Sequence, residues 1–413
     1  MLAICARRSA LGLRPNVKVV VPGASRLAFL SGLAFLLGCL SWGAAPRVLA
    51  FLPLVTLLWA RSGSRRSAFV VMASYYLGAS RGLLGGASVF FQDPDGMRSW
   101  WSGAVIWIAP NALLAAVWAG AWGTRFLALR ALAALAIVSA PPIGVVGWAN
   151  PLTAAGDLFP GLGWLGLCLT LALTCSIASA PTCRVLAALG IAMAAAGAAK
   201  CIGVADVTST TWVAIDTKLG KGADDGGDGF EQMQGLQREV EGAAARAPIG
   251  AFIVLPELVA GDWSVDRTWW SPVDRLLKKR GQTLVMGAHV AEVGSRKSVN
   301  ALFTIGAAAG VVMPDRVPVP VSMWRPWSDE GTRSAWFAPG VGRVGSRRVG
   351  HLVCYEQLLI WPALVSAAGS PDVLVGAAND WWARDTSIPA IQRQAVTAWG
   401  RLFGRPVVFA ANS

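Results

Sequence analysis

The chain has 413 residues, 54% of them hydrophobic and 14% charged, too apolar a balance for an ordinary soluble protein and one that points to segments in lipid. The net charge of +13 does not imply a direct nucleic-acid partner, because the arginines stand singly or at the ends of apolar runs, with no basic helix, zinc-ligand set or base-stacking motif beside them. With only His289 and His351 in the chain, a histidine-rich zinc site is excluded and a Ser/His/Asp triad has few candidates.

Apolar residues dominate the chain from 27 to about 203. A bilayer-spanning helix needs about 20 mostly apolar residues, and such stretches fall near 26–43, 47–60, 67–90, 104–123, 127–148, 160–180 and 184–203. The second is short, so the count is six or seven. Arg7, Arg8, Arg14, Lys18 and Arg26 precede the first run and keep the N-terminus cytoplasmic by the positive-inside rule. The loop charges alternate in agreement, and seven crossings put the C-terminal part on the far side of the membrane. Residues 1–204 are therefore expected to form a transmembrane domain of about seven helices.

Residues 205–413 have the charge and glycine content of a water-soluble domain and are long enough for one α/β unit with a substantial core. Thr211 to Ile215 reads as a strand, the Gly- and Asp-rich run 220–229 as a mobile loop, and Phe230 to Ala245 as a helix. The loop lacks the Gly-Lys-Ser/Thr of a phosphate-binding loop, and no cofactor is expected. Further strands are predicted at 251–255, 283–287, 301–305, 349–354, 373–375 and 406–409, with helices after Cys354 and across Ile388 to Phe403. Strands alternating with helices predict a layered α/β domain.

Reactive side chains stand where strands end. Cys354 closes the apolar run His351-Leu-Val-Cys354 and is the only cysteine in the second half, so no disulfide can form within that half. A thiol held at a strand end, with a base nearby, is a candidate nucleophile. Glu257 follows the strand 251–255 through Pro256 and is placed at the carboxyl edge of the sheet, where α/β folds keep their sites. Glu356, two residues beyond the thiol, is expected to orient a neighbour.

Three blocks in this order resemble the nitrilase, or carbon-nitrogen hydrolase, superfamily: Ile253-Val-Leu-Pro-Glu257, Leu352-Val-Cys-Tyr-Glu356, and Ala378-Asn-Asp-Trp-Trp382 leading into Gln392-Arg-Gln and Gly404-Arg-Pro406. Behind a multi-spanning membrane half they resemble its apolipoprotein N-acyltransferase branch, which normally has a further C-terminal membrane helix where this sequence ends. The resemblance implies an αββα sandwich on the periplasmic side of a bacterial inner membrane. It also implies Glu257 as general base, Cys354 as nucleophile, Tyr355 and Glu356 shaping the site, and Asn379 supporting it. The family's lysine is missing. In its region, Met313-Pro-Asp-Arg316-Val-Pro-Val-Pro-Val-Ser-Met-Trp324, Arg316 is preferred as the substitute over Lys297, although an arginine is a poor proton shuttle. This departure makes the chain more similar to TraB-type conjugal transfer proteins of plasmids.

Two functional expectations follow. One is a membrane-bound amidase or N-acyltransferase working through a Cys354 acyl-enzyme on a lipid or peptide substrate. The other is a nitrilase-fold component of the conjugation machinery in which chemistry is incidental, motivated by the missing lysine.

Overall fold

The structure, a computed structural model, describes residues 23–43, 48–93, 95–179, 190, 211–221, 229–292 and 294–413. The apolar stretch predicted at 184–203 and most of the glycine-rich loop lie outside the described residues.

The first half is helical. Among the described residues its helices of seven residues or more are α1 (Gly23–Ser41), α2 (Leu54–Ala60), α3 (Arg65–Ala79), α4 (Gly82–Phe90), α5 (Trp100–Ala121), α6 (Leu127–Ser139) and α7 (Gly163–Ser179). Two of them, at Ala24–Ser41 and Trp100–Ala121, are long and apolar enough to cross a membrane. Among the described residues, the other predicted spans are shorter than expected. The run 67–90 divides into α3 and α4 at Ser80 and Arg81. The run 127–148 stops at Ser139, because Pro141 and Pro142 lack the N–H groups that would continue it and Pro141 disfavours helical backbone at Ala140.

The second half contains two sheets. One has the order β1 (Trp212–Ala214), β2 (Phe252–Val254), β3 (Thr283–Ala291), β4 (Lys297–Gly306), β5 (Val312–Pro314), with β6 (Gly331–Thr332) also on β4. The other has the order β10 (Val407–Asn412), β9 (Val373–Asn379), β8 (Arg347–Val353), β7 (Val341–Val344). β1, β2 and β3 run parallel, as do β8, β9 and β10.

Alternation along the strands assigns the layers. Val254, Val285 and Leu302 from the first sheet join Val349, Val353, Val375 and Val408 from the second in one core between the sheets. Ile253, Leu284 and Met286 point the other way, into a core with Leu236 and Val240 of helix α8 (Gly229–Arg246) and Val273 and Leu277 of helix α9 (Ser271–Lys279). The outer face of the second sheet packs on α10 (Ile360–Ala368) and α11 (Ile388–Phe403), and the same core continues into the helical half. The layers are therefore α, β, β, α, as the nitrilase resemblance implies.

Candidate active site

Glu257 and Cys354 belong to different sheets. β2 ends at Val254 and β8 at Val353, and packing the sheets face to face brings the residues just beyond these two carboxyl ends together. Glu257 is buried at 2% exposure, and the Cys354 thiol donates a hydrogen bond to its carboxylate. The close approach depends on Gly287 of β3, where a Cβ would collide with the Glu257 backbone.

The backbone turns sharply at both positions. Cys354 has φ 41° and Leu258, directly after Glu257, has φ 60°, left-handed values that are costly for residues with a Cβ and are tolerated where the surroundings hold them. From Cys354 the chain enters a 3-10 turn, Cys354–Leu358, so the thiol projects from an elbow beyond the strand predicted to include it.

Glu356 builds that elbow. Its carboxylate accepts the Val353 N–H at 3.1 Å, the Arg316 N–H at 2.8 Å and the Arg316 guanidinium at 2.9 Å and 3.0 Å. Arg316, expected to bring positive charge to the thiol, is instead fully buried against Glu356, with its remaining bonds to the carbonyls of His351 (2.8 Å) and Pro362 (3.2 Å). The alternative, Lys297, opens β4 on the face opposite to Asn300, three positions further on.

The neighbour that does face Glu257 is Asp315, one residue before Arg316. Asn300 of β4 donates to Glu257 Oε1 at 2.6 Å and to Asp315 Oδ2 at 3.1 Å. Asp380, after β9, and Gln392 of α11 complete the surroundings. Gln392 Nε2 donates to the Cys354 carbonyl at 3.2 Å and stands 3.8 Å from its sulfur. The Asn379 backbone N–H points at the same sulfur, while its side-chain oxygen accepts from Asn412 at 2.8 Å. Tyr355 is buried, with its hydroxyl donating to Val145 of the helical half at 3.3 Å.

Burial and mutual repulsion set the electrostatics. Burial lifts Glu257 to about 7, against the lowering hydrogen bonds from Cys354 and Asn300. Burial and then Glu257 lift Asp380 to about 7. Burial, with Glu356 and Glu257 adding to it, pushes Asp315 well above the carboxylate range. Burial and the charges of Glu257 and Asp380 push the Cys354 thiol well up. A free thiolate is thus unfavourable, and the thiol can attack only as its proton moves to Glu257.

Cys354 and Gln392 also line an apolar cavity of about 330 Å³. Val105, Ile106 and Trp148 wall it from the helical half, and Val321, Tyr355 and Ile388 from the sandwich.

A sandwich with a strand-end Glu and Cys defines the class of a carbon-nitrogen hydrolase domain, and the family model for "Carbon-nitrogen hydrolase" matches residues 251–401. Among proteins, the chain is 36% identical to the conjugal transfer protein TraB of Agrobacterium fabrum, covering 94% of this chain and 93% of that protein. It is 33% identical to a probable conjugal transfer protein TraB of Sinorhizobium fredii, covering 92% and 96% respectively. The chain belongs to this TraB family, with a C-terminal domain of the nitrilase superfamily. Solved structures similar to part of it include an amidase from Nesterenkonia sp., at 15% identity and TM-score 0.36 over 51% of this chain and 79% of that one. A carbon-nitrogen hydrolase from Helicobacter pylori gives 13% and 0.31, over 48% and 73%.

Proposed function

We propose that this protein is a membrane-bound enzyme of plasmid conjugal transfer, with amidase or N-acyltransferase chemistry passing through an acyl group on Cys354. The observation that carries this reading is the cavity. The thiol paired with Glu257 opens onto an apolar chamber walled partly by helices of the first half, a shape that suits the acyl portion of a lipid or lipidated peptide.

In the first step the Cys354 sulfur bonds to the carbonyl carbon of an ester or amide as its proton passes to Glu257. Collapse of the adduct breaks the bond to the leaving group, which takes that proton and departs as alcohol or amine. Water or an amine then attacks the thioester, gives its proton to Glu257, and the sulfur recovers it. Gln392 Nε2, beside the sulfur, supplies an uncharged N–H toward the developing oxyanion. Glu356 and Arg316 hold the elbow, and Tyr355 and Asn379 hold its two flanks. No step requires a cofactor.

The proposal includes a multi-pass inner-membrane half over 1–204 and a periplasmic domain over 205–413. Large apolar side chains left exposed on α1 and α5, among them Phe29, Leu36, Leu40, Trp101 and Ile108, support a lipid environment. The test is acyl-biotin exchange with mass spectrometry on membranes: a thioester on Cys354, lost in C354S, is expected. An unmodified Cys354 together with full function of C354S removes the reading.

One observation favours a second reading, that of a catalytically inactive assembly component of the conjugation apparatus. Among the described residues no lysine stands in the hydrogen-bond network around Glu257 and Cys354. Wild-type transfer frequency in C354A and E257Q, with loss on deleting the domain, would select it.

A further inference from the structure

Helix α4 (Gly82–Phe90) carries glycine at 82, 85 and 86, although glycine is the poorest helix former after proline. The reason lies across the contact it makes. Gly82 and Gly86 stand one turn apart on one face of the helix, and both are buried. A Cβ at Gly86 would lie 2.6 Å and 2.8 Å from Cζ3 and Cε3 of Trp382, and one at Gly82 would lie 3.0 Å from Cγ1 of Ile388. Trp382 and Ile388, the side chains that rest on these glycines, both line the chamber beside Cys354, as does Leu83 of α4 itself.

Trp382 has little freedom to retreat. Its Nε1 donates to the Asn379 carbonyl at 3.2 Å, and the Phe90 ring of α4 meets it edge-on at 6.2 Å between centroids. The residue belongs to the 3-10 turn Trp381–Ala383 just beyond β9, so its backbone is held as well. The indole therefore stands between helix α4 and the chamber. A side chain at 86 moves the ring off the helix, and the room for that movement comes out of the chamber.

We propose that Gly86 is a positioning residue for substrate size: by letting the Trp382 ring lie against α4, it sets the length of acyl chain that the chamber admits beside Cys354. This rests on the proposed acyl group at Cys354. The helical half then fixes the reach of the site without touching the reacting atoms.

The test uses the full-length protein in detergent micelles and a series of straight-chain alkyl methanethiosulfonates, from methyl to hexadecyl. In the labelling step the Cys354 sulfur bonds to the alkylthio sulfur, methanesulfinate leaves, and the thiol proton passes to Glu257 or to buffer. Mass spectrometry of the Cys354 peptide gives a rate for each length, and the exposed Cys168 reports how each probe behaves in the micelle. In wild type the Cys354 rate is expected to hold up to a limiting length and then fall. In G86A the limit comes at a shorter chain, and the first length newly excluded reacts about 10- to 200-fold more slowly than in wild type, the usual weight of one methylene that does not fit. W382A removes the ring, so the limit moves to longer chains and adding G86A no longer shifts it. W382F gives the same pattern in smaller measure where W382A does not fold. A wild-type limit in G86A, whatever its unfolding midpoint, would make the glycine merely structural and overturn the proposal, as would an equal shift by G86A with and without the Trp382 ring. Labelling does not depend on turnover, so the two levels separate. A limit that moves with G86A but no thioester in cells removes the acyl-enzyme reading and leaves the size-setting contact standing; a thioester in cells with a limit indifferent to G86A removes this proposal alone.

Discussion

Arg316 grips Glu356 through two parallel contacts, Nε to Oε1 at 2.9 Å and Nη2 to Oε2 at 3.0 Å, with both side chains fully buried. The same carboxylate caps the elbow that presents Cys354. Removing one partner strands a buried charge, which costs about 3–5 kcal/mol. E356A and R316A are therefore expected to lower the unfolding midpoint sharply. R316K should not rescue it, because a single ammonium cannot reproduce the planar fork. Thermal unfolding of the three variants in detergent checks this.

Glu257 and Cys354 are expected to fail differently when changed. E257Q keeps the shape and removes the proton acceptor, so Cys354 acylation should slow by about 10²- to 10⁴-fold. C354S should lose the thioester altogether while remaining folded. Single-turnover acylation followed by mass spectrometry distinguishes them.

Gln392 places an uncharged side-chain donor 3.8 Å from the sulfur. Q392A is expected to slow acylation by about 10²- to 10³-fold, the usual effect of losing an oxyanion donor. Q392E, which replaces the donor with a negative charge, should do no better. Equal rates in wild type and Q392A would assign the oxyanion to backbone N–H groups instead.

Stability should respond to pH in a defined sense. Glu257 and Asp380 move from 4.5 and 3.8 to about 7 on folding. The folded chain thus holds protons that the unfolded chain releases, and stability falls as pH rises from the unfolded values through about 7. His351 acts oppositely: lowered by burial from 6.5 to about 4, it contributes stability above 6.5 that is lost as pH falls toward 4. From about pH 8 down to about 6.5 the carboxyls dominate, so the unfolding temperature should rise on acidification, with a smaller rise in E257Q.

The two halves are joined by a tight contact. A Cβ at Gly156 would overlap the backbone carbonyl of Ala398 in α11, and next to it Arg401 Nη1 meets Asp157 Oδ1 at 3.2 Å. G156V should cost about 1–3 kcal/mol through overpacking and speed proteolytic separation of the halves, measured by limited digestion.

Much of the second half was legible. Apolar runs closed by turn or reactive residues located β2 and β8, the stretch Ile388 to Phe403 read as the long helix α11, and the residues just past the two strands were the reactive ones. The charge partner was not. An extended segment turns successive side chains to opposite sides, so whether Asp315 or Arg316 faced Glu257 depended on a one-residue register that composition does not set. Asn300 sits within β4 at the start of its buried stretch, and Asp380 and Gln392 lie on elements far apart in sequence, so their convergence is a tertiary fact. In the first half, hydropathy located the helices but overstated their lengths at Ser80–Arg81 and at the paired prolines, where backbone geometry outweighs apolarity.

The chamber beside Cys354 has a further implication for how such proteins diversify. Neither portion of the polypeptide encloses it alone, so a substitution at Val105 or Trp148 reshapes the space in front of the sulfur as directly as one at Tyr355. On the proposed chemistry, selectivity would then drift through the helical portion while Glu257 and Cys354 stay constant, and chimeras between distant relatives would inherit the reacting pair from one parent and half of the fit from the other.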